Sequence, residues 1–183
     1  MRKLVITQNM TLDGSIEMLD DWFDPQMQDE DLIEETHRQD ADADALLLGR
    51  QTFEDFRGYW PAQTDDATGV TDYLNRVAKY VVSSTIEDPG WENSTVLDGD
   101  PVPHVRTLKG QPGRDIVLTG SITLAHTLIT AGLVDEYRMF VYPVVQGRGR
   151  PLFPDGAHGG MRLLTEPKAF SSGIVLLRYA AAG

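Results

Sequence analysis

Apolar residues in this chain come in short unbroken runs, each closed by small polar residues. Leu4-Val5-Ile6 leads into Thr7-Gln8-Asn9, Ala45-Leu46-Leu47-Leu48 into Gly49-Arg50, Tyr80-Val81-Val82 into Ser83-Ser84-Thr85, and Ile116-Val117-Leu118 into Thr119-Gly120-Ser121. Runs of this length, bounded by polar residues, suit strands buried on both faces. Between them, apolar side chains recur at three- and four-residue spacing. Phe53 with Phe56, Val70 with Tyr73, Leu74 and Val77, and Ile122 with Leu124, Ala125, Leu128 and Ile129 mark three helices. Strand–helix alternation predicts an α/β fold with a mainly parallel sheet.

Another helix is expected from Asp24-Pro25, with Asp as N-cap and Pro at the first helical position, to about Arg38. Leu32 and Ile33 define its apolar face, with Asp29 and Thr36 on nearly the same side and Glu35 at the edge. Inward polar groups of this kind need partners or a cleft. Thr95-Val96-Leu97 is expected as a short strand and Val102 to Lys109 as a short helix. Beyond Gly132 the pattern changes. Tyr137 to Val145 alternates as a long strand, and Met161–Leu164 and Gly173–Tyr179 read as two more, joined as an antiparallel hairpin. The sheet is therefore expected to be mixed, in a single domain over residues 1–183.

Charge and composition narrow the function classes. The formal net charge is −12, which disfavours nucleic acid and anionic membrane surfaces as partners. Twelve of the acidic residues lie between Glu17 and Asp44, against a single Arg38. They read as solvated helix faces, since no calcium-loop spacing is present and no metal site is expected. There are no cysteines, which removes thiolate catalysis and Cys-based metal sites and is compatible with the cytoplasm, the location expected. No apolar run approaches the ~20 residues of a membrane span. The apolar start at Leu4 is too short for the core of a signal peptide.

The polar closures of the strands carry the candidate chemistry. Gly49 permits a tight turn, the helix after it begins with free N–H groups, and Arg50 can fork onto a phosphate. Any strand-to-helix turn also has this shape. Ser83-Ser84-Thr85 and Gly120-Ser121 repeat the design, and Ser121 is expected as an N-cap. Only one glycine stands at Gly120, so this is no G-x-G-x-x-G fingerprint. In open α/β sheets ligands bind outside such strand ends. Asp13-Gly14 is a turn signal, and also a carboxylate placed on a loop. Tyr59-Trp60 reads first as packing, and also as a wall for a flat ring. Gly147 to Phe153 reads as a flexible basic turn, or as a loop near an anionic ligand.

Six segments in order resemble the dihydrofolate reductase-like fold, in particular the reductase domain of bacterial riboflavin biosynthesis and its stand-alone relatives. They are Thr11–Gly14, Asp44–Phe53, Val82–Ser84, Leu118–Ser121, Gly132–Glu136 and Pro143–Phe153. The resemblance implies a three-layer α/β/α architecture, with a mixed, mainly parallel central sheet and an antiparallel C-terminal hairpin. It implies NADPH as cofactor and hydride transfer to a C=N or C=O carbon, as in 5-amino-6-(5-phosphoribosylamino)uracil reductase. A non-catalytic NADP- or nucleotide-binding protein on the same fold is the alternative. Cofactor contacts are implied for Gly49, Arg50, Thr52, Ser83, Ser84, Thr119, Gly120, Ser121, Thr123 and Leu124, with Arg50 and the two serines near the 2′-phosphate. Asn9 and Trp60 would border the substrate. Asp13, Asp31 and Glu35 are the candidate proton donors or substrate contacts, and a homodimer is expected from the relatives. The chain departs from the riboflavin domain at Glu54–Pro61, where it resembles the stand-alone relatives instead.

Overall fold

In a computed structural model, which describes residues 1–181, one nine-stranded sheet takes strands from the whole chain. The strands are β1 (Leu4–Thr11), β2 (Ala43–Gly49), β3 (Ala78–Val82), β4 (Ser94–Leu97), β5 (Asp115–Leu118), β6 (Glu136–Tyr142), β7 (Met161–Leu163), β8 (Lys168–Ala169) and β9 (Val175–Ala181). Their spatial order is β4-β3-β2-β5-β1-β6-β9-β7, with β8 beside β9. The six strands from β4 to β6 are parallel, and β9 joins β6 antiparallel, with β7 and β8 antiparallel on β9. The mixed sheet with its antiparallel C-terminal end is the architecture that the sequence pattern predicts.

Helices α1 (Glu30–Ala41), α2 (Arg50–Tyr59) and α3 (Val70–Arg76) cover one face, and α4 (Pro101–Gly110) and α5 (Ile122–Thr130) the other. The period-two alternation of the strands decides this. Leu4, Ile6, Leu47, Ile116 and Leu118 pack with Val105, Leu108, Leu124 and Leu128. On the opposite face, Leu46, Leu48 and Val81 pack with Phe53, Trp60, Leu74 and Val77. A third cluster, Phe140, Tyr142, Phe170, Ile174 and Leu176, fills the β6–β9 end against Trp22, Phe23 and Leu32.

The first helix begins later than Asp24-Pro25 predicts. Asp29 is its N-cap, accepting from the Leu32 N–H at 3.2 Å, with Glu30 and Asp31 in the first turn, where carboxylates suit the helix dipole. Residues 20–28 are drawn elsewhere. Trp22 packs edge-on against Tyr142 at 5.1 Å and donates from its indole to Gln146. Tertiary contact there outweighs the local capping signal. The basic loop is likewise not free: Arg148 pairs with Asp20 and Arg150 with Glu17, so two of the clustered acids hold it in place.

Candidate active site

The C-terminal ends of β1, β2 and β5 lie side by side, and the turns leaving them are stitched together. The Gly49 N–H donates to Ser121 Oγ at 2.9 Å, and the Ser121 N–H to Thr52 Oγ1 at 2.8 Å. Gln8 bonds Gly120 in both directions, donating to its carbonyl at 2.6 Å and accepting from its N–H at 3.2 Å. Gly120 and Ser121 are both left-handed, at φ 56° and 52°. A Cβ on Gly120 would stand 2.8 Å from Thr52 Cγ2, so this close approach requires glycine. Ser121 does hold the N-cap position of α5, as expected, but in left-handed backbone and without a side-chain cap. The left-handed turn sends its hydroxyl across to Gly49 instead.

These bonds consume three of the expected backbone donors. The first-turn N–H groups of α2 and α5 keep no intrahelical partner, as helix geometry dictates, and they mark the positive ends of both helices. They border a cleft of about 830 Å³ that runs from the strand ends inward beneath α1. Gly49, Arg50, Thr52, Thr119, Gly120, Ser121, Thr123 and Leu124 line it, and so do Asn9 and Trp60. Ser83 and Ser84 stand apart, in a shallow recess of about 340 Å³ that shares Arg50 with the cleft. Ser83 is buried, and its hydroxyl accepts from the Thr85 and Ile86 N–H groups. Ser84 is exposed. Arg50 is half-exposed and pairs with Glu54 at 3.0 Å.

Asp13, Asp31 and Glu35 are absent from the walls of both cavities. Asp13 accepts from the Thr11 hydroxyl and from the N–H groups of Gln146 and Gly147, which hold its pKa at about 2 and join the first loop to the 143–149 segment. Asp31 is exposed on the first turn of α1. Glu35 is buried beside Arg38, Gln39 and Lys168. Burial raises its pKa, but the hydrogen bonds from Arg38 and Gln39 and the two positive charges together leave it lowered.

Four carboxylates line the cleft instead, Glu17, Asp24, Asp55 and Asp40, and Asp40, on the last turn of α1, is the one that burial shifts upward. Burial pushes its pKa up to about 6, against the opposing pull of His37, Arg138 and Arg76. Gln39, Thr36, Tyr73 and Arg138 share this inner end. The sequence hid the residue: Asp40 stands in an acidic run that reads as solvated, and Arg138 reads as one alternating position of a strand. Helical spacing offered one signal, since Asp40 follows the inward-facing Thr36 by four residues.

A family model of the RibD C-terminal domain matches residues 2–176. The chain belongs to this family. The uncharacterised protein YyaP of Bacillus subtilis (strain 168) is 33% identical over 186 residues, spanning 97% of this chain and 94% of its own. Among solved structures, a pyrimidine reductase-like protein of Corynebacterium diphtheriae superposes with a TM-score of 0.71 at 15% identity, covering 100% of this chain and 92% of its own. Dihydrofolate reductase from Enterococcus faecalis, complexed with NADP(H), gives 0.66 at 14% identity, with 99% and 97% covered. At these identities the structures show a shared dihydrofolate reductase-like fold. Among the described residues no group of His, Asp and Glu is placed to hold a metal ion, and no helix is long and apolar enough to cross a membrane.

Proposed function

We propose that this RibD C-terminal domain protein is an NADPH-dependent reductase of a small heterocyclic substrate. One observation carries the reading. The N-termini of α2 and α5 and the Arg50 side chain converge on a single cleft at the C-terminal ends of parallel strands. The donor set fits a phosphate-rich dinucleotide. Amide N–H groups at two helix starts suit a pyrophosphate, and a guanidinium suits a terminal phosphate. In an acidic protein such local donors must overcome the global field.

The first turn of α5 would hold the pyrophosphate, with Thr123 and Leu124 on the cleft wall, and Arg50 with Ser84 would meet the 2′-phosphate. When bound, the nicotinamide supplies a hydride, and the carbon that accepts it belongs to a C=N or C=O bond whose heteroatom takes up a proton. The chain's contribution is to hold the acceptor against the cofactor site and to exclude water. Trp60 and Asn9 border that space. The riboflavin-pathway ribosylaminopyrimidine is one candidate substrate, by family membership.

The test is twofold. Fluorescence titration of the purified protein with NADPH should give saturable binding. Stopped-flow or steady-state absorbance at the nicotinamide band should then show oxidation with a panel of C=N and C=O heterocycles, including 5-amino-6-(ribosylamino)uracil 5′-phosphate. Failure to bind NADPH overturns the reading. Tight binding without turnover across the panel supports the non-catalytic alternative.

A further inference from the structure

Two polar side chains that line the cleft are incompletely partnered among the described residues: Arg138, through one buried nitrogen, and Asp40, through its carboxylate. Arg138 enters from β6 and is 1% exposed. Its Nε donates to Glu136 Oε1 at 2.8 Å and its Nη2 to Asp115 Oδ2 at 3.2 Å. Its Nη1 donates to nothing, and it is the buried side-chain polar atom left without a hydrogen bond among the described residues. Asp40 enters from α1 and is half-buried. Its carboxylate takes part in no hydrogen bond or ion pair within the described residues, whereas Glu35, one turn earlier, is bonded to Arg38 and Gln39. Both Asp40 and Arg138 line the cleft, close enough that the guanidinium acts on the carboxylate's charge. Buried polar groups in native proteins are otherwise almost always paired, and a lone exception calls for a physical reason.

The chemistry of the two groups restricts what can complete them. An ionised carboxylate only accepts, and a guanidinium only donates. An anion would satisfy Arg138 and meet Asp40 with like charge. A cation would do the reverse. A plain ketone or aldehyde offers an acceptor and leaves the carboxylate alone. A neutral edge with an N–H beside a C=O serves both.

We propose that Asp40 and Arg138 form a clamp for the lactam edge of a nitrogen heterocycle, the carboxylate accepting the ring N–H and Arg138 Nη1 donating to the carbonyl. The clamp deepens the reductase reading by naming how its substrate is seated, and it rests on that reading only for what becomes of the ligand. Four ionisable groups face Asp40: His37 on its own helix, Tyr73 and Arg76 on α3, and Arg138 on β6. Burial outweighs the pull of His37, Arg138 and Arg76 on the carboxylate.

Ligand-observed NMR or calorimetry on the full chain, without cofactor, tests the clamp with uracil and 1,3-dimethyluracil, which keeps both carbonyls and loses both N–H groups. Uracil is expected to bind saturably and the dimethyl analogue at least about tenfold more weakly. Asp40→Leu removes the acceptor and should weaken uracil by a similar factor. Asp40→Asn keeps an acceptor oxygen, so it should retain part of the affinity and lose its pH dependence. In the unsubstituted protein that affinity should fall as pH drops through about 6. No uracil binding, equal binding of the two probes, or unchanged affinity in Asp40→Leu would each overturn the clamp. NADPH titrations of the same samples separate the two proposals. Uracil binding without NADPH binding sinks the reductase and leaves the clamp, and the reverse result sinks the clamp alone.

Discussion

Asp40 shows how one residue trades stability for chemistry. Its folded pKa of about 6 stands above the ordinary carboxylate value of 3.8, so the folded state holds this proton more tightly than the unfolded chain does. Stability therefore falls as pH rises from about 4 to 6 and stays lower above that, by up to about 3 kcal/mol at 1.36 kcal/mol per pKa unit. Asp40→Asn removes the buried charge, so thermal unfolding should shift upward at pH 7.5 and hardly at all at pH 4. An unchanged melting temperature at pH 7.5 would contradict this account. Arg50 is the complementary case, exposed and held only by Glu54. A surface pair of this kind contributes little to stability. If its guanidinium meets a 2′-phosphate, Arg50→Ala should weaken NADPH about tenfold or more and NADH far less, since charge-assisted bonds are worth roughly 1.5–3 kcal/mol. Equal losses for the two nucleotides in parallel titrations would remove the assignment.

At the scale of elements, the junction of β2–α2 with β5–α5 is a unit. Ser121, Thr52 and Gly120 close it through two backbone N–H bonds, and Gly120 leaves no room for a methyl group. Gly120→Ala must both strain a left-handed backbone and push Thr52 aside. The expected loss is on the order of 1–3 kcal/mol, read from urea unfolding, together with weaker NADPH binding. Wild-type stability in this variant would show that the turn can relax.

The elements themselves were largely legible, because period-two and period-3.6 patterns need no knowledge of the fold. Short runs such as Leu46–Leu48 and Ile116–Leu118 suit doubly covered strands, and the sheet pairs these two in parallel. The start of α1 was misplaced because Asp24-Pro25 is a sound local cap, while the bonds that hold Trp22 come from Gln146. Ser121 stands at the N-cap as expected, but its hydroxyl was not readable as a partner of Gly49, because that contact spans 72 residues. The strand-end residues of the site were visible as polar closures. Asp40 was not, because what makes it unusual is its surroundings: burial on the inner side of its helix, and a guanidinium arriving from β6. Asp13 and Glu35 carry visible carboxylates, but the hydrogen bonds that occupy them come from other parts of the fold or from the same helix turn.

For the whole molecule, a buried ionic cluster ties β5, β6 and β9, with Lys3 at its edge just ahead of β1. Glu136 is 1% exposed and accepts from Arg138 and Arg178, while Arg138 reaches Asp115 and Lys3 stands 3.4 Å from Glu136. Burial alone would raise the Glu136 pKa, but the hydrogen bonds and charges of Arg138 and Arg178 bring it down to about 2. Its contribution is present above the unfolded value of about 4.5 and is lost as pH falls towards 2. Glu136→Gln leaves Arg138 and Arg178 without their shared counter-ion and should cost about 3–5 kcal/mol at neutral pH, with a shallower loss of stability in acid. An acid-unfolding curve parallel to that of the unsubstituted protein would refute this. The homodimer expected of relatives has candidate surfaces in Leu12 and Val145, which are exposed, and in Met161 and Leu163 on β7. Light scattering at micromolar concentration should give twice the chain mass, and a monomeric mass would end that expectation.

The position of β5 has a consequence for how the protein comes to be folded. It lies between β2 and β1, so β1 pairs with β5 and β6 and with none of the strands that precede them in the chain. Gln8 and Gly120, which close the mouth of the cleft together, are 112 residues apart. Loop-closure entropy must be met before that pairing returns anything, and such non-local contacts slow folding. As the chain leaves the ribosome, β1 waits with its apolar edges unpaired until more than half of the protein has followed. The cleft is thus among the last features to form, and refolding kinetics followed by NADPH binding should lag behind those followed by helix content.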